Sequence, residues 1–590
     1  MDMRKTSMLK DLWDLLLPQE RSQSALLLVL MFVAMVLEIL SIGLVFPLLS
    51  AILDPSFVVS FQEYAHKYYN FSDFNPNIFL IGVVVGFFIV YCFKTAILAF
   101  IIKRQMIFVY SLQANLSIRL FKSYLERDYS FHIQKNSSEL IRNTISEVTL
   151  FAQNGVLQLI ILIAEITVLI GVICFLMAVD PLITVGATII IGSITCGFYY
   201  LMKSRIYIWG KQRHVHEGLR IQHVQQGLGG IKDIKILGRE DEFVSKFGYH
   251  TNESAKVGQL AHTLQQYPRL FLELIGVFII VVFMIIVVSK GLDLNEILPM
   301  LAVFFAAALR IIPSANRIVS AMQVAKFVLP VVRTIHAELF GFIDTGRVSV
   351  EQSDMLNFQQ DIVLNDISFK YPGSDDYTLR NLNLTINRGD SIGFVGSSGA
   401  GKSTIIDLIL GLLPPDQGTI YVDNTNIQKH LKEWQSFIGY VPQSIYLSDE
   451  SLRCNIAYGI PEGDIDELAV TRAIDLAQLT EFVKSLPDGV YSPVGERGVR
   501  MSGGQLQRLG IARALYHDPR ILVLDEATSA LDTTTEAGVM DAIRAMKGSK
   551  TVIIVAHRFS TVEHCDMIFE LQDGHIIDQG PPSVLSFKNQ

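Results

Sequence analysis

Gly396-Ser397-Ser398-Gly399-Ala400-Gly401-Lys402-Ser403 has the spacing G-x-x-x-x-G-K-[ST] of a phosphate-cradling loop. Glycines there let the backbone wrap a phosphate chain, while backbone N–H groups and the helix beginning at Thr404 stabilise the anion. Lys402 then reaches the outer phosphates, and Ser403 supplies a hydroxyl to Mg²⁺. Farther along, the apolar run Ile521-Leu522-Val523-Leu524 ends in Asp525-Glu526. A buried strand would deliver Asp525 to the Mg²⁺ shell and Glu526 to the attacking water. Taken alone, that acidic pair is equally well a solvated turn. Downstream of a phosphate loop, it points to hydrolysis of a nucleoside triphosphate.

Such a loop works only between a strand and a helix. Ser391–Val395 reads as the strand and the apolar run from Thr404 as the helix. Other β-type runs, Ile362-Val363-Leu364, Ile521–Leu524 and Thr551–Val555, alternate with helical stretches. That pattern predicts a covered, largely parallel sheet over 361–590, an α/β P-loop ATPase domain.

The first part of the chain has a different texture. Half of all residues are hydrophobic and only 18% are charged, with mean hydropathy +0.37. Soluble domains carry about 25% charged residues, so part of this chain is solvated by a lipid bilayer. Apolar stretches at about 24–53, 76–105, 146–179, 182–204, 265–289 and 294–328 can each cross ~30 Å of hydrocarbon as a helix. The expected fold class is therefore a multi-domain membrane protein. It joins an all-α six-helix transmembrane domain (1–335) through a linker (336–360) to a cytoplasmic ATPase domain.

Lys103, Arg104, Arg119, Lys122 and Arg127 follow span two, and a second basic group from Lys203 to Arg239 follows span four. By the positive-inside rule these connections, like the N-terminus, are cytoplasmic, where ATP is found. Phe57, Val58, Phe61, Tyr64, Ala65, Tyr68 and Tyr69 form an approximate helical stripe, read as a short helix on the outer surface. A net charge of −8 argues against a nucleic-acid partner, and five scattered cysteines lack metal-ligand spacing. The N-terminal segment has no small-residue cleavage site, so a removable signal peptide is not expected.

Ionisable groups inside spans are costly, about 2.5–3.5 kcal/mol each on insertion scales, and are functional candidates. They are Glu38, Lys94, Glu165, Arg269, Glu273, Arg310 and Arg317. Arg310 and Arg317 are seven apart and share a helix face, whereas Arg269 and Glu273 have the spacing to neutralise each other. Two readings stay open. Lys94, Arg269, Arg310 and Arg317 could line a positive cavity for a phosphate, or they could make structural pairs, with Arg269 snorkelling.

Met501-Ser502-Gly503-Gly504-Gln505 resembles the ABC signature, and the order phosphate loop, glutamine, signature, acidic strand, histidine resembles an ABC nucleotide-binding domain throughout. The resemblance implies ATP and Mg²⁺ as ligands and the following roles. Tyr371 stacks on adenine, and Gly396, Ser397, Gly399, Ala400, Gly401, Lys402, Ser403 and Thr404 hold the phosphates. Gln443 contacts Mg²⁺ and water beside Asp525, Glu526 is the catalytic base, and His557 is the switch histidine. Asp532 communicates across the dimer, and Gly495-Glu496-Arg497-Gly498 resembles the exporter-type loop. Ser502, Gly503, Gly504 and Gln505 face the nucleotide of a second copy, which makes the chain half of a homodimer. Met501 stands where leucine is usual, a nearly volume-conserving change.

Pro268–Glu273 and Leu309–Ile318, on a chain similar along its length, resemble bacterial flippases for lipid-linked oligosaccharides, the PglK type. That likeness implies a polyprenyl-pyrophosphate glycan moved from the cytoplasmic to the outer leaflet of a bacterial inner membrane. Lys94, Arg269, Arg310 and Arg317 would contact the pyrophosphate, with Lys94 a point charge where that family has arginine. The alternative cargo is a lipid or an amphipathic drug, as in other homodimeric exporters.

Overall fold

The computed structural model describes residues 8–45, 47–48, 76–290, 294–341, 356–495, 501–527, 533–556 and 559–584. The expected outer-surface helix at 57–69 lies outside them. The chain divides into two compact units, Met1–Arg127 with Lys135–Ile343, and Asp128–Gln134 with Asp344–Gln590.

Among the described residues, six long helical stretches build the first unit: α1 (Pro18–Gly43), α2 (Pro76–Leu125), α3 (Ser137–Val179), α4 (Pro181–Gly229), α5 (Glu240–Lys290) and α6 (Leu294–Phe340). Over their described residues, α1, α2, α3, α4 and α6 contain windows long and apolar enough to cross a membrane. The sixth, α5, carries the apolar run read at 265–289, and part of that run's side chains lies outside the described residues. Local sequence sets the helix starts. Pro18 occupies the first turn of α1, where Glu20 accepts a hydrogen bond from the Leu17 N–H at 2.8 Å. Asp180-Pro181 divides α3 from α4, and Asp180 caps α4 by accepting from the Ile183 N–H at 3.0 Å. The helices outrun the apolar spans, and α6 continues to Phe340, into the stretch read as linker.

Many large apolar side chains of these helices point outward, among them Leu26, Val29, Ile81, Phe88 and Ile189, as lipid-facing helices require. Inside, Ile42, Val168, Val172, Leu176, Val303 and Ala307 join α1, α3 and α6. Gly171 permits the approach of α1 to α3, since a Cβ there would sit 2.7 Å from Ile39 Cδ1 and Met35 Cγ. Two π-turns, Asn143–Glu147 and Phe151–Val156, interrupt α3.

In the second unit, strands β1 (Asp361–Phe369), β2 (Leu379–Asn387), β3 (Ser391–Gly396), β4 (Gln417–Val422), β5 (Thr425–Asn426), β6 (Ile438–Val441), β7 (Ile521–Asp525), β8 (Thr551–Val555), β9 (Met567–Gln572) and β10 (His575–Gly580) form two sheets. One, ordered β10-β9-β3-β8-β7-β6, is parallel except for the β9–β10 pair. The other, β2-β1-β4-β5, is antiparallel. Ile362-Val363-Leu364 therefore belongs to the antiparallel sheet rather than the parallel one. The burial patterns explain the division. β7 and β8 are buried at every position, as strands covered on both faces must be, whereas β2 alternates buried Leu382, Leu384 and Ile386 with exposed residues.

Candidate functional site

β3 ends at Gly396, whose φ of +148° and close approach to the Leu571 carbonyl leave no room for a side chain. The loop then turns through Gly399 and Gly401 at φ of +85° and +102° into α7 (Lys402–Ile409). The Lys402 ammonium is buried and donates to the carbonyls of Gly396 and Ser397 at 2.9 and 3.0 Å. Burial lowers its pKa, against the opposing pull of Glu526 and Asp525. Ser403 is exposed beside it, while Thr404 is buried and its hydroxyl lies 3.0 Å from the Tyr371 hydroxyl. The Tyr371 ring in turn packs edge-on against Phe369. A backbone cradle that excludes side chains, with an ammonium and a hydroxyl at its mouth, suits a polyphosphate.

β7 lies between β6 and β8, with Asp525 in register with Val555. The Asp525 side chain is buried, placing a carboxylate near Lys402 as an Mg²⁺ ligand set would need. Glu526 follows at φ +50°, a left-handed conformation that its N–H stabilises by donating to the Val555 carbonyl at 3.1 Å. Gln443 Nε2 donates to Glu526 Oε2 at 2.8 Å, joining residues 83 apart in sequence.

Two neighbours escaped the sequence reading. Burial and the nearby Asp525 push the Asp407 carboxyl up to about 6. The Tyr440 phenol, hydrogen-bonded to Asp525, is also raised, chiefly by burial. An aspartate within the first helix after the loop was the available signal. Because the folded-state value of Asp407 lies above the ordinary 3.8, its contribution to stability is present at low pH and lost as pH rises through about 6. Asp407→Asn should therefore flatten the fall in thermal stability between pH 4 and pH 7, read by unfolding scans across that range.

Ser502 caps α8 (Gly503–Leu515) through a capping box. The Gln505 N–H donates to Ser502 Oγ at 3.3 Å, and the Ser502 N–H donates to Gln505 Oε1 at 2.8 Å. Ser502 and Gly503 are exposed, so this helix terminus is open. Gly504 and Gln505 are half-buried, and Met501 packs against the domain core. Asp532, His557 and Glu496-Arg497-Gly498 lie outside the described residues.

Within the first unit, Glu38 and Glu165 gather three of the four basic candidates. Lys94 Nζ donates to Glu38 Oε2 at 2.7 Å and to Ser41 Oγ at 2.9 Å. Arg310 bridges both acids, with Nε 3.3 Å from Glu38 Oε1 and Nη2 3.6 Å from Glu165 Oε2. Arg317 Nε lies 2.6 Å from Glu165 Oε1, and Ser314 Oγ donates to Glu165 Oε2 at 2.7 Å. Arg269 is placed differently. It is exposed and paired with Glu273 at 2.7 Å on its own helix. An open apolar groove lined by Phe32, Met35, Ile39, Ile170, Cys174 and Phe175 runs between α1 and α3, and the charged group does not line it.

Residues 379–529 match the ABC transporter family profile, and residues 40–311 match that of the ABC transporter transmembrane region. The ATP-dependent lipid A-core flippase of Saccharophagus degradans is 30% identical over 479 residues, 80% of this chain and 79% of its own. The chain belongs to the ABC exporters. The flippase of the same name from Cupriavidus metallidurans is similar over 99% of this exporter and 95% of its own length, at 27% identity. A solved structure of a bacterial Atm1-family ABC exporter with ATP bound shares the fold, with a TM-score of 0.76 over 94% of this chain and 95% of that one at 22% identity. This exporter is a half-transporter, embedded in the membrane through its helical unit, and its cytoplasmic ATPase domain couples ATP hydrolysis to transport.

Proposed function

We propose that this exporter flips a phosphate-bearing glycolipid from the cytoplasmic to the outer leaflet of a bacterial inner membrane, with a polyprenyl-pyrophosphate-linked oligosaccharide as cargo. The observation that carries the reading is the group of Lys94, Arg310 and Arg317 around Glu38 and Glu165, three cations against two anions among the membrane helices. An excess positive charge in a low-dielectric setting favours an anion, and a guanidinium fork suits phosphate oxygens. Arg269, exposed on α5, would be a further contact reached by exchanging Glu273 for the headgroup. The flippases named for lipid A-core favour a second reading, in which that phosphorylated glycolipid is the cargo.

In the ATPase domain, Lys402 and the loop N–H groups would hold the phosphates, Tyr371 would take the base, and Ser403, Gln443 and Asp525 would hold Mg²⁺, which would neutralise charge on the phosphates. Glu526 accepts the proton of the attacking water; the family likeness alone assigns His557 the switch role and Asp532 communication across the dimer. The open terminus at Ser502–Gly503 supports a homodimer, each signature closing the nucleotide site of the other copy.

The test is ATP-dependent movement of lipids in liposomes containing the purified exporter. Movement of undecaprenyl-pyrophosphate oligosaccharide is expected. Movement of lipid A-core alone would select the second reading, and movement of neither would overturn both.

A further inference from the structure

The two buried carboxylates of the membrane helices are not needed to bind an anion and, by charge alone, oppose it. Yet Glu38 and Glu165 lie among the described residues of α1 and α3 at 2.6–3.6 Å from Lys94, Arg310 and Arg317. With all five groups in their formal charge states, three positive and two negative charges leave one positive. Hydrogen bonds with Ser41 and Ser314 complete the arrangement. Ser41 accepts from Lys94 at 2.9 Å, and Ser314 donates to Glu165 at 2.7 Å.

The buried Nε–H groups of Arg310 and Arg317 are taken up by carboxylate oxygens, 3.3 Å from Glu38 and 2.6 Å from Glu165. Arg317 nevertheless leaves 42% of its side chain exposed, so an incoming anion can reach this residue. A guanidinium has five N–H donors, so a single carboxylate does not saturate it.

We infer that Glu38 and Glu165 set the headgroup charge this exporter accepts, holding the three cations in place and trimming their sum to one per chain. The inference rests on the flippase reading above. Two copies then present two positive charges, equal and opposite to those of a pyrophosphate diester. Glu38 and Glu165 are positioning residues in this scheme. They touch the cations rather than the lipid.

The test uses the full-length exporter in liposomes and two polyprenyl lipids with the same tail and sugar. One is joined by a phosphodiester with one negative charge, the other by a pyrophosphate diester with two. The readout is the ratio of their ATP-dependent transport rates. Glu165→Gln adds one positive charge per chain and should raise the pyrophosphate-to-phosphodiester ratio at least about fivefold, the size expected from one extra partly screened charge. Arg317→Gln removes one and should lower the ratio by a similar factor. Combining the two substitutions should return it toward the wild-type value. If Glu165→Gln does not fold, Glu38→Gln, which adds the same charge at the other acid, carries the test. A ratio within about twofold of wild type in the folded single variants overturns the inference while leaving the flippase reading intact. Failure of the wild-type exporter to move either lipid overturns the flippase reading itself.

Discussion

Glu526→Gln is expected to leave ATP binding intact and to lower ATP turnover by about two to four orders of magnitude, the usual contribution of a positioned general base. The substitution keeps shape and removes basicity. The side chain would still accept the hydrogen bond that Gln443 donates at 2.8 Å, and the backbone N–H would still donate to Val555. The left-handed φ of +50° is held by that backbone bond and by the end of β7, so the local chain path should persist. Lys402, the glycine cradle and Thr404 are untouched, so nucleotide retention on the purified variant should match wild type. Near-normal turnover would remove Glu526 from the role of base. Loss of nucleotide binding would mean that the carboxylate organises the loop instead.

Arg310→Ala has the second large effect, on both stability and transport. Arg310 alone spans Glu38 and Glu165 among the described contacts, and its side chain is only 23% exposed. Deleting Arg310 leaves Glu38 with Lys94 and Glu165 with Arg317, so each acid keeps one cation and the cost is that of the lost bridge, about 1–3 kcal/mol. The detergent-solubilised variant should unfold at a lower temperature, and lipid transport per ATP hydrolysed should fall at least about tenfold. Arg269→Ala is the informative comparison. Its exposed i,i+4 pair with Glu273 contributes only about 0.3–0.5 kcal/mol, so unfolding should barely move. Equal destabilisation by both substitutions would contradict the buried network.

The phosphate loop was legible because its constraints are local: a strand, glycines at fixed steps, a lysine and a helix. Glu526 was legible from the acidic end of an apolar strand, but its pairing with Gln443 was not, because β6 and β7 bring the two together only once the sheet has formed; family likeness supplied Gln443. Arg310 and Arg317, seven apart, do share a face, and both reach Glu165. Lys94 joins them through Glu38, a contact set by how α1 and α2 pack. An apolar stretch does not state which neighbour it faces, so the two glutamates read as separate candidates rather than as the centre of the group. Arg269 stands apart because Glu273, one turn away on the same helix, satisfies it first. The antiparallel sheet was overlooked for another reason. The alternation Leu382-Asn383-Leu384-Thr385-Ile386 was present in the sequence, but polar residues diluted it beside the continuous runs of β3, β7 and β8.

The length of the membrane helices has a mechanical consequence. A helix such as α2, with 50 residues, is about 75 Å long, whereas the hydrocarbon layer it crosses is ~30 Å thick. Roughly 45 Å of it is a rod in water, anchored at one end by lipid and packing. Pivoting such a rod by about 10° at the bilayer surface sweeps its far tip through about 8 Å, more than a full helical turn. An ångström-scale rearrangement around Glu38 and Glu165 and a much larger stroke at the cytoplasmic tips are then the same motion at two radii. Among these rods, α3 has two π-turns between its cytoplasmic end and Glu165. Such turns are sites where helices bend, so α3 is geared differently from a straight rod: part of any stroke would be taken up as flexure at 143–156 before it reached the buried charges.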